Sequence, residues 1–273
     1  MVKKALIIGI SYINTAYQLG GCINDACTMY SLLTTKYNYL PNNIRMLCDD
    51  PSAITCGVNS GIPTKANILM SFKWLLNAAK KGDILTFYIS SHGELVGNNV
   101  NELTGHDEAI RCLNNEFLID NDIRSSLIAQ VPPNVQLTCF FDCCHSGTMA
   151  DLKYNYIYNP YSSNVFTLGI EKNLDVPGNV ITYSACYDSE TSGDASFGGK
   201  FITNPNGSKT FQWGPRMGCF TFYLIQTLTE HNYKIECSDL LKNVYEKLIN
   251  NGYNQHPEFG CSKPEFFTLP FNL

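Results

Sequence analysis

Short runs of β-branched and aromatic residues alternate along the chain with stretches whose apolar positions recur at helical spacing. Ala5–Ile10 is continuously apolar and predicts a buried strand. Residues 23–37 carry apolar side chains at helical intervals, with Asn24 and Asp25 near the start as cap-type residues, and predict a helix. Ile44–Leu47 predicts a second strand after the turn signal Pro41-Asn42-Asn43, and residues 51–63, with two Pro and two Gly, read as a surface loop. The clearest helix is Thr64–Lys80: a Thr start, apolar Ile68, Leu69, Phe72, Leu75 and Leu76, and a Lys80-Lys81-Gly82 ending. A strand at Ile84–Ser90, a polar loop to about residue 116, a helix near 121–130, a Pro132-Pro133 break and a strand at Val135–Phe141 follow. Residues 151–179, rich in Asn, Tyr and Ser, predict an exposed connection. Val180–Ser184 is a further strand, and helices at about 217–230 and 237–250 precede a short last strand near Glu265–Thr268. Apolar strands alternating with helices predict an α/β fold, a mostly parallel central sheet flanked by helices on both faces. Chemistry in such a sheet gathers at the carboxyl ends of the strands.

The 273 residues suffice for one large domain or two small ones at about 100–200 residues per domain. A hydrophobic share of 44% against 16% charged residues excludes a disordered chain. Nineteen Lys and Arg against 24 Asp and Glu give −5, so no basic surface invites nucleic acid. No apolar run approaches the ~20 residues that span a bilayer, so no membrane partner is expected. Lys3-Lys4 before Ala5–Ile10 mimics a leader, yet the run is too short and Ser11-Tyr12-Ile13-Asn14 is no cleavage site. The 12 cysteines fall partly inside apolar patterns, where they read as small core residues, and imply a reducing, cytoplasmic setting.

Two strand ends carry candidate chemistry. Phe87-Tyr88-Ile89-Ser90-Ser91-His92-Gly93 delivers a His and then a Gly. Cys139-Phe140-Phe141-Asp142-Cys143-Cys144-His145-Ser146-Gly147-Thr148 ends in Asp, Cys and His before a Gly turn. Adjacent parallel strands would bring His92 and Cys144 together, the minimum set for thiolate nucleophilic catalysis. The pattern alone equally allows a loop-capping His92 and a buried Cys144. Zinc at Cys143-Cys144-His145 is disfavoured, because consecutive strand residues face opposite ways and there is no C-x₂-C pair.

An ordered set of motifs resembles the metacaspases, caspase-like cysteine peptidases. Leu6–Gly9 with Leu19-Gly20-Gly21-Cys22-Ile23-Asn24-Asp25-Ala26 resembles the family's opening strand and G-C-x-N-D-A segment. Ser90-Ser91-His92-Gly93 resembles its S-G-H-G box, and Asp142–Thr148 its D-x-C-H-S-G-T box. Ser184-Ala185-Cys186-Tyr187-Asp188-Ser189-Glu190-Thr191-Ser192 resembles S-G-C-x-D-x-Q-T-S, and Gln255-His256-Pro257 the final Q-x-P. The match runs from residue 4 to about 262.

The resemblance implies a caspase–hemoglobinase fold in a single peptidase domain over 1–273. Residues 1–151 would form the large-subunit-like part, 152–179 an exposed connection and 180–273 the small-subunit-like part. It implies a type I-like catalytic core, without a Pro/Gln-rich prodomain in this sequence, acting as a monomer. His92 would be the general acid/base and Cys144 the nucleophile forming an acyl-enzyme, with the N–H groups of Gly93 and Cys144 as oxyanion hole. His145 is not expected to be the base, since its side chain should point away from that of Cys144. The S1 pocket would use Asp25 and Asp142, with Cys22 and Ser90 on its wall, and would select protein or peptide substrates with Arg or Lys at P1. Asp25 also suits a helix N-terminus. Calcium would bind at Asp107, Asp120, Asn121 and Asp151, with Asn121 where the family tends to have Asp. One charge fewer weakens the site and moves the calcium demand to roughly millimolar. The family's self-cleavage after a basic residue would fall at Lys172. Ser91 replaces the Gly of the His box, where a Cβ would disturb an unusual backbone. Two alternatives accompany this expectation: an inactive caspase-like interaction module, and a clan member that prefers Asn at P1.

Overall fold

The computed structural model of the protein describes residues 1–54, 56, 59–97, 106–161, 166–170, 174–203 and 209–273; Lys172 lies outside them. The strands are β1 (Lys3–Gly9), β2 (Ile44–Cys48), β3 (Ile84–Ser90), β4 (Gly93–Val96), β5 (Asp107–Arg111), β6 (Phe117–Ile119), β7 (Gln136–Asp142) and β8 (Tyr154–Tyr158). They continue as β9 (Phe166–Ile170), β10 (Asn179–Ser184), β11 (Asp194–Ser196), β12 (Gly199–Thr203), β13 (Lys209–Trp213), β14 (Arg216–Gly218) and β15 (Glu258–Cys261). The helices are α1 (Cys22–Lys36), α2 (Lys65–Leu76), α3 (Asp120–Ser126), α4 (Cys219–Glu230) and α5 (Cys237–Asn250). Among the described residues, no helix is long and apolar enough to cross a membrane.

The apolar strands are continuous because both of their faces are covered. Along β1, Ala5 and Ile7 join a core with Ile23 and Ala26 of α1, Phe220 of α4 and Leu240 of α5. Leu6 and Ile8 join a second core with Ile68 and Phe72 of α2 and Ile123 of α3. Tyr88 and Phe140 belong to the first core, Phe87, Ile89 and Phe141 to the second, so the period-two alternation of the pleat assigns each side chain its layer. The central sheet has the order β2-β1-β3-β7-β10-β15-β8-β9. Its first five strands pair in parallel, and β15, β8 and β9 add an antiparallel flank.

Four sequence expectations change. Helix α2 stops at Leu76 rather than Lys80, because Ala78 takes a left-handed backbone and the Lys4 ammonium donates to the carbonyls of Trp74 and Asn77. Residues 93–116 are not one loop: β4 and β5 form a hairpin that carries β6 at its side. Residues 152–179 are not simply an exposed connection, since β8 and β9 extend the central sheet and Leu152, Tyr156 and Tyr158 are buried. The last strand is Glu258–Cys261, while Pro264–Thr268 forms a 3₁₀ turn started by Pro264.

Candidate active site

The register of the sheet builds the site. Strands β3 and β7 pair in parallel with Ser90 opposite Asp142, and His92 and Cys144 each follow two residues later. Both line one cavity of about 90 Å³ with Cys22, Asp25, Ser90, Asp142, Ser192 and Asp194 among its walls. The two segments touch at Gly93, where a Cβ would come within 1.8 Å of the Cys144 carbonyl oxygen. Only glycine allows that approach.

His92 is held from three sides. Its Nε2–H donates to the Tyr17 carbonyl at 2.8 Å, and its main-chain N–H donates to the Tyr12 hydroxyl at 3.1 Å. The Tyr12 hydroxyl donates in turn to the Arg111 carbonyl at 2.5 Å, and the Arg111 N–H donates to the His92 carbonyl at 3.1 Å. The Tyr12 ring lies 5.0 Å from the imidazole, and the Arg111 guanidinium, ion-paired with Glu94, stacks over Tyr17 at 4.2 Å. With Nε2 committed to a carbonyl, a neutral His92 keeps Nδ1 as its free acceptor. Ser91 does not have the left-handed backbone that a glycine there would favour; it is buried, and its N–H donates to the Asp142 carbonyl at 3.3 Å.

Cys144 is partly exposed, whereas Cys143 is 1% exposed, and of the 12 cysteines all but Cys56 and Cys144 are buried. The Ser192 N–H donates to Cys144 Sγ at 3.2 Å. Burial pushes the Cys144 thiol above its ordinary range, while the N–H groups of Ser192, Cys144 and Gly93 favour the thiolate. Burial pushes the Cys143 thiol well up, with the neighbouring thiols and Asp142 adding to it. His145 faces elsewhere: its Nδ1–H donates to the Asp188 carbonyl at 2.5 Å.

Below the dyad lie two buried carboxylates, Asp25 at 0% and Asp142 at 3% exposure. Asp25 accepts the Gly218 N–H at 3.0 Å and the Ser90 hydroxyl at 2.9 Å. Asp142 accepts the Ser192 hydroxyl at 2.8 Å, the Thr221 N–H at 3.1 Å and the Thr221 hydroxyl at 2.7 Å. Burial, reinforced by the Asp142 charge, pushes the Asp25 carboxyl well above the usual range; burial also raises Asp142 against its hydrogen bonds from Thr221 and Ser192. Cys22 and Ser90 stand on the same wall.

Several residues of the site escaped the sequence reading. Asp194 lines the cavity as a third carboxylate: Oδ2 accepts the Gly20 N–H at 3.1 Å and lies 3.4 Å from the Arg216 guanidinium, while the buried Oδ1 has no hydrogen-bond partner among the described residues. Thr221, Gly218 and Tyr12 position Asp142, Asp25 and His92. Gln255, in the Q-x-P element, is 1% exposed; its side chain accepts the Gly193 N–H at 3.0 Å and donates to Ser192 Oγ at 3.2 Å and to the Ala185 carbonyl at 2.9 Å. The motif boxes signalled Gln255, and Thr221 and Gly218 fall in the helix predicted at about 217–230, whose apolar period does not single out polar positions; Tyr12 and Asp194 sit in segments without periodic pattern.

The four expected calcium ligands gather around α3 rather than the dyad. Asn121 Nδ2 donates to Asp107 at 3.5 Å, and Asp120, fully buried, accepts the Asn121 N–H at 2.5 Å. Arg124 of the same helix donates to the Asp151 carbonyl at 2.6 Å. Among the described residues no three His, Cys, Asp or Glu side chains converge as a metal cluster. The donors are hard oxygens of the type calcium takes, with an amide in one place.

A parallel-led sheet with a His and a Cys at adjacent strand ends, over a cavity floored by carboxylates, defines a cysteine peptidase of caspase-like fold. The metacaspase, peptidase C14 domain model matches residues 3–153. Metacaspase-2 from Trypanosoma brucei brucei is 32% identical over 278 residues, spanning 99% of this chain and 76% of that protein. Inactive metacaspase-4 from the same organism is 30% identical over 276 residues, spanning 99% and 74%. Among solved structures, protein GSU0716 from Geobacter sulfurreducens superposes with a TM-score of 0.65 at 20% identity, covering 98% of this chain and 97% of that one. Caspase-1 from Spodoptera frugiperda gives 0.51 at 11% identity over 94% and 85%. The chain belongs to the metacaspases, a family of cysteine peptidases.

Proposed function

We propose that the protein is an endopeptidase that cleaves peptides and proteins after Arg or Lys through a His92/Cys144 dyad, and that calcium stimulates it. The observation that carries this reading is one cavity shared by His92, Cys144, Asp25 and Asp142. His92 Nδ1 takes the thiol proton, and the thiolate attacks the scissile carbonyl. The oxyanion is met by the N–H groups of Gly93 and Cys144, which already favour negative charge at the sulfur. The imidazolium then gives its proton to the leaving amine, and water hydrolyses the acyl-enzyme. A basic P1 side chain entering the cavity favours the ionised form of Asp25 and Asp142 against the cost of burial, so specificity comes from charge-assisted hydrogen bonds.

Calcium would be held by oxygens of Asp107, Asp120, Asn121 and Asp151, where it supplies charge neutralisation among those acids. A monomer in a reducing, cytoplasmic setting suits a chain whose cysteines are mostly buried in its core, and Lys172 is the proposed self-cleavage position. Profiling with P1 Arg, Lys, Asn and Asp peptides, with calcium and with chelator, tests the reading. Preference for Asn or Asp refutes the specificity, and absence of turnover on every peptide refutes the peptidase assignment.

A further inference from the structure

Glu190 stands where the family motif carries Gln, and His256 is the variable middle residue of Gln255-His256-Pro257. In the structure these two meet. His256 Nδ1–H donates to Glu190 Oε1 at 2.5 Å, and the His256 N–H donates to Glu190 Oε2 at 3.0 Å. The side chains are only 16% exposed for Glu190 and 22% for His256. The Tyr187 ring stacks on the imidazole at 5.1 Å and 17°, and the Tyr187 N–H donates to Glu190 Oε2 at 3.4 Å. Tyr245 of α5 closes the other side at 5.4 Å.

The pair matters for what its segment carries. The Glu190 carbonyl accepts the N–H of His145, the residue after the nucleophile, at 3.1 Å. Two residues on, Ser192 gives its N–H to Cys144 Sγ and its hydroxyl to Asp142. Residues 186–192 are thus clamped between the nucleophile turn and the 255–256 segment, and the clamp is an ion pair when His256 is protonated. Other ionisable groups face it: Tyr187, Glu258 and Tyr245, with Asp188 and His145 on the adjoining turn.

We propose that Glu190 and His256 are a positioning pair that seats Ser192 against Cys144 and Asp142, and so ties peptidase activity to the charge on His256. The inference rests on the peptidase reading of the same cavity. With His256 protonated the pair is charged and the clamp tight; with His256 neutral only a neutral hydrogen bond remains, and the ionic share is lost.

The experiment compares wild type, Glu190→Gln, Glu190→Ala and His256→Ala for kcat and KM on a P1-Arg peptide, and for the alkylation rate of Cys144 by iodoacetamide, from pH 5.5 to 8.5. Glu190→Gln keeps the hydrogen-bond shape without the charge. The expected ratio of wild-type to Glu190→Gln kcat is about threefold to tenfold near pH 6, converging towards one by pH 8.5. Glu190→Ala should lose at least about tenfold in kcat and alkylation rate at every pH while remaining folded, with Glu190→Gln recovering most of it towards pH 8.5. A ratio flat with pH, or wild-type alkylation and kcat in folded Glu190→Ala, overturns the proposal. If wild type turns over no peptide, the peptidase reading fails, while the alkylation profile still decides on the pair.

Discussion

The molecule holds two groups of acidic residues with different surroundings. Asp25 and Asp142 are buried, each held by main-chain and hydroxyl donors from separate elements, and together they face an open cavity beside the dyad. Asp107, Asp120, Asn121 and Asp151 sit around one short helix, α3, with Asp107 and the Asp151 carbonyl held by its Asn121 and Arg124 side chains. In the proposed reading the first group is a preformed receptor: donors fix the carboxylates, burial raises their cost of charge, and a P1 cation would relieve it. In the second, the Asn121 amide reaches Asp107 at 3.5 Å, and an ion would have to draw the oxygens together. Identical residue types thus differ in the work left for the ligand.

The largest break comes from removing the chemistry that both groups are proposed to serve. Cys144→Ala should reduce turnover by at least about 10³-fold, whereas folded Cys143→Ala keeps most of it. Equal loss in both, read by steady-state rates with circular dichroism as control, would show that the wrong cysteine was chosen. Next, Asp25→Ala or Asp142→Ala should lower kcat/KM for P1-Arg peptides about 10²–10³-fold, the scale of a buried ion pair losing one partner. Normal cleavage of Arg substrates by either variant would take that residue out of the pocket.

On the other side of the comparison, Asp151→Ala should cut the calcium stimulation about tenfold, with activity restored only at higher calcium. Full activity in chelator, unchanged by Asp151→Ala, removes the calcium proposal. Asp194→Asn should have a smaller effect, about threefold to fivefold on kcat/KM for Arg, because its carboxylate is partly exposed and already beside Arg216. The smallest effect concerns stability. Asp25 and Asp142 titrate above their unfolded value of about 3.9, so their contribution is fully present below that pH and is lost as pH rises through the folded-state values. Wild type should therefore lose a few degrees of Tm relative to Asp25→Asn between pH 4 and 8, and an Arg-aldehyde ligand should stabilise it more at the upper end. A parallel Tm profile for the two proteins would contradict this sign.

The parallel half of the sheet was legible because Ala5–Ile10, Ile84–Ser90 and Val135–Phe141 are apolar on both faces, a pattern that few other structures produce. The placement of His92 and Cys144 in one cavity was legible for the same reason, since a strand that ends in His or Cys points its chemistry at one sheet edge. The antiparallel flank was hidden. Glu258-Phe259-Gly260-Cys261 is too short and mixed to show a period, and its place beside β10 depends on Gly260, where a Cβ would come within 2.4 Å of Thr182 Oγ1. Tyr154–Tyr158 alternates only weakly, and Asn and Tyr there suggested loop. Asp194 was illegible because its neighbours are Ser, Gly and Ala, and only the pairing of β11 with β14 carries it to the cavity.

The position of β15 between β10 and β8 has a consequence for any cut between β9 and β10. The downstream piece would contribute β10 and β15, and the upstream piece would flank them with β7 on one side and β8 on the other. The fragments would be interleaved rather than laid side by side, with hydrogen bonds across two seams. A nicked chain should therefore run as two bands on a denaturing gel and elute as one particle on a sizing column.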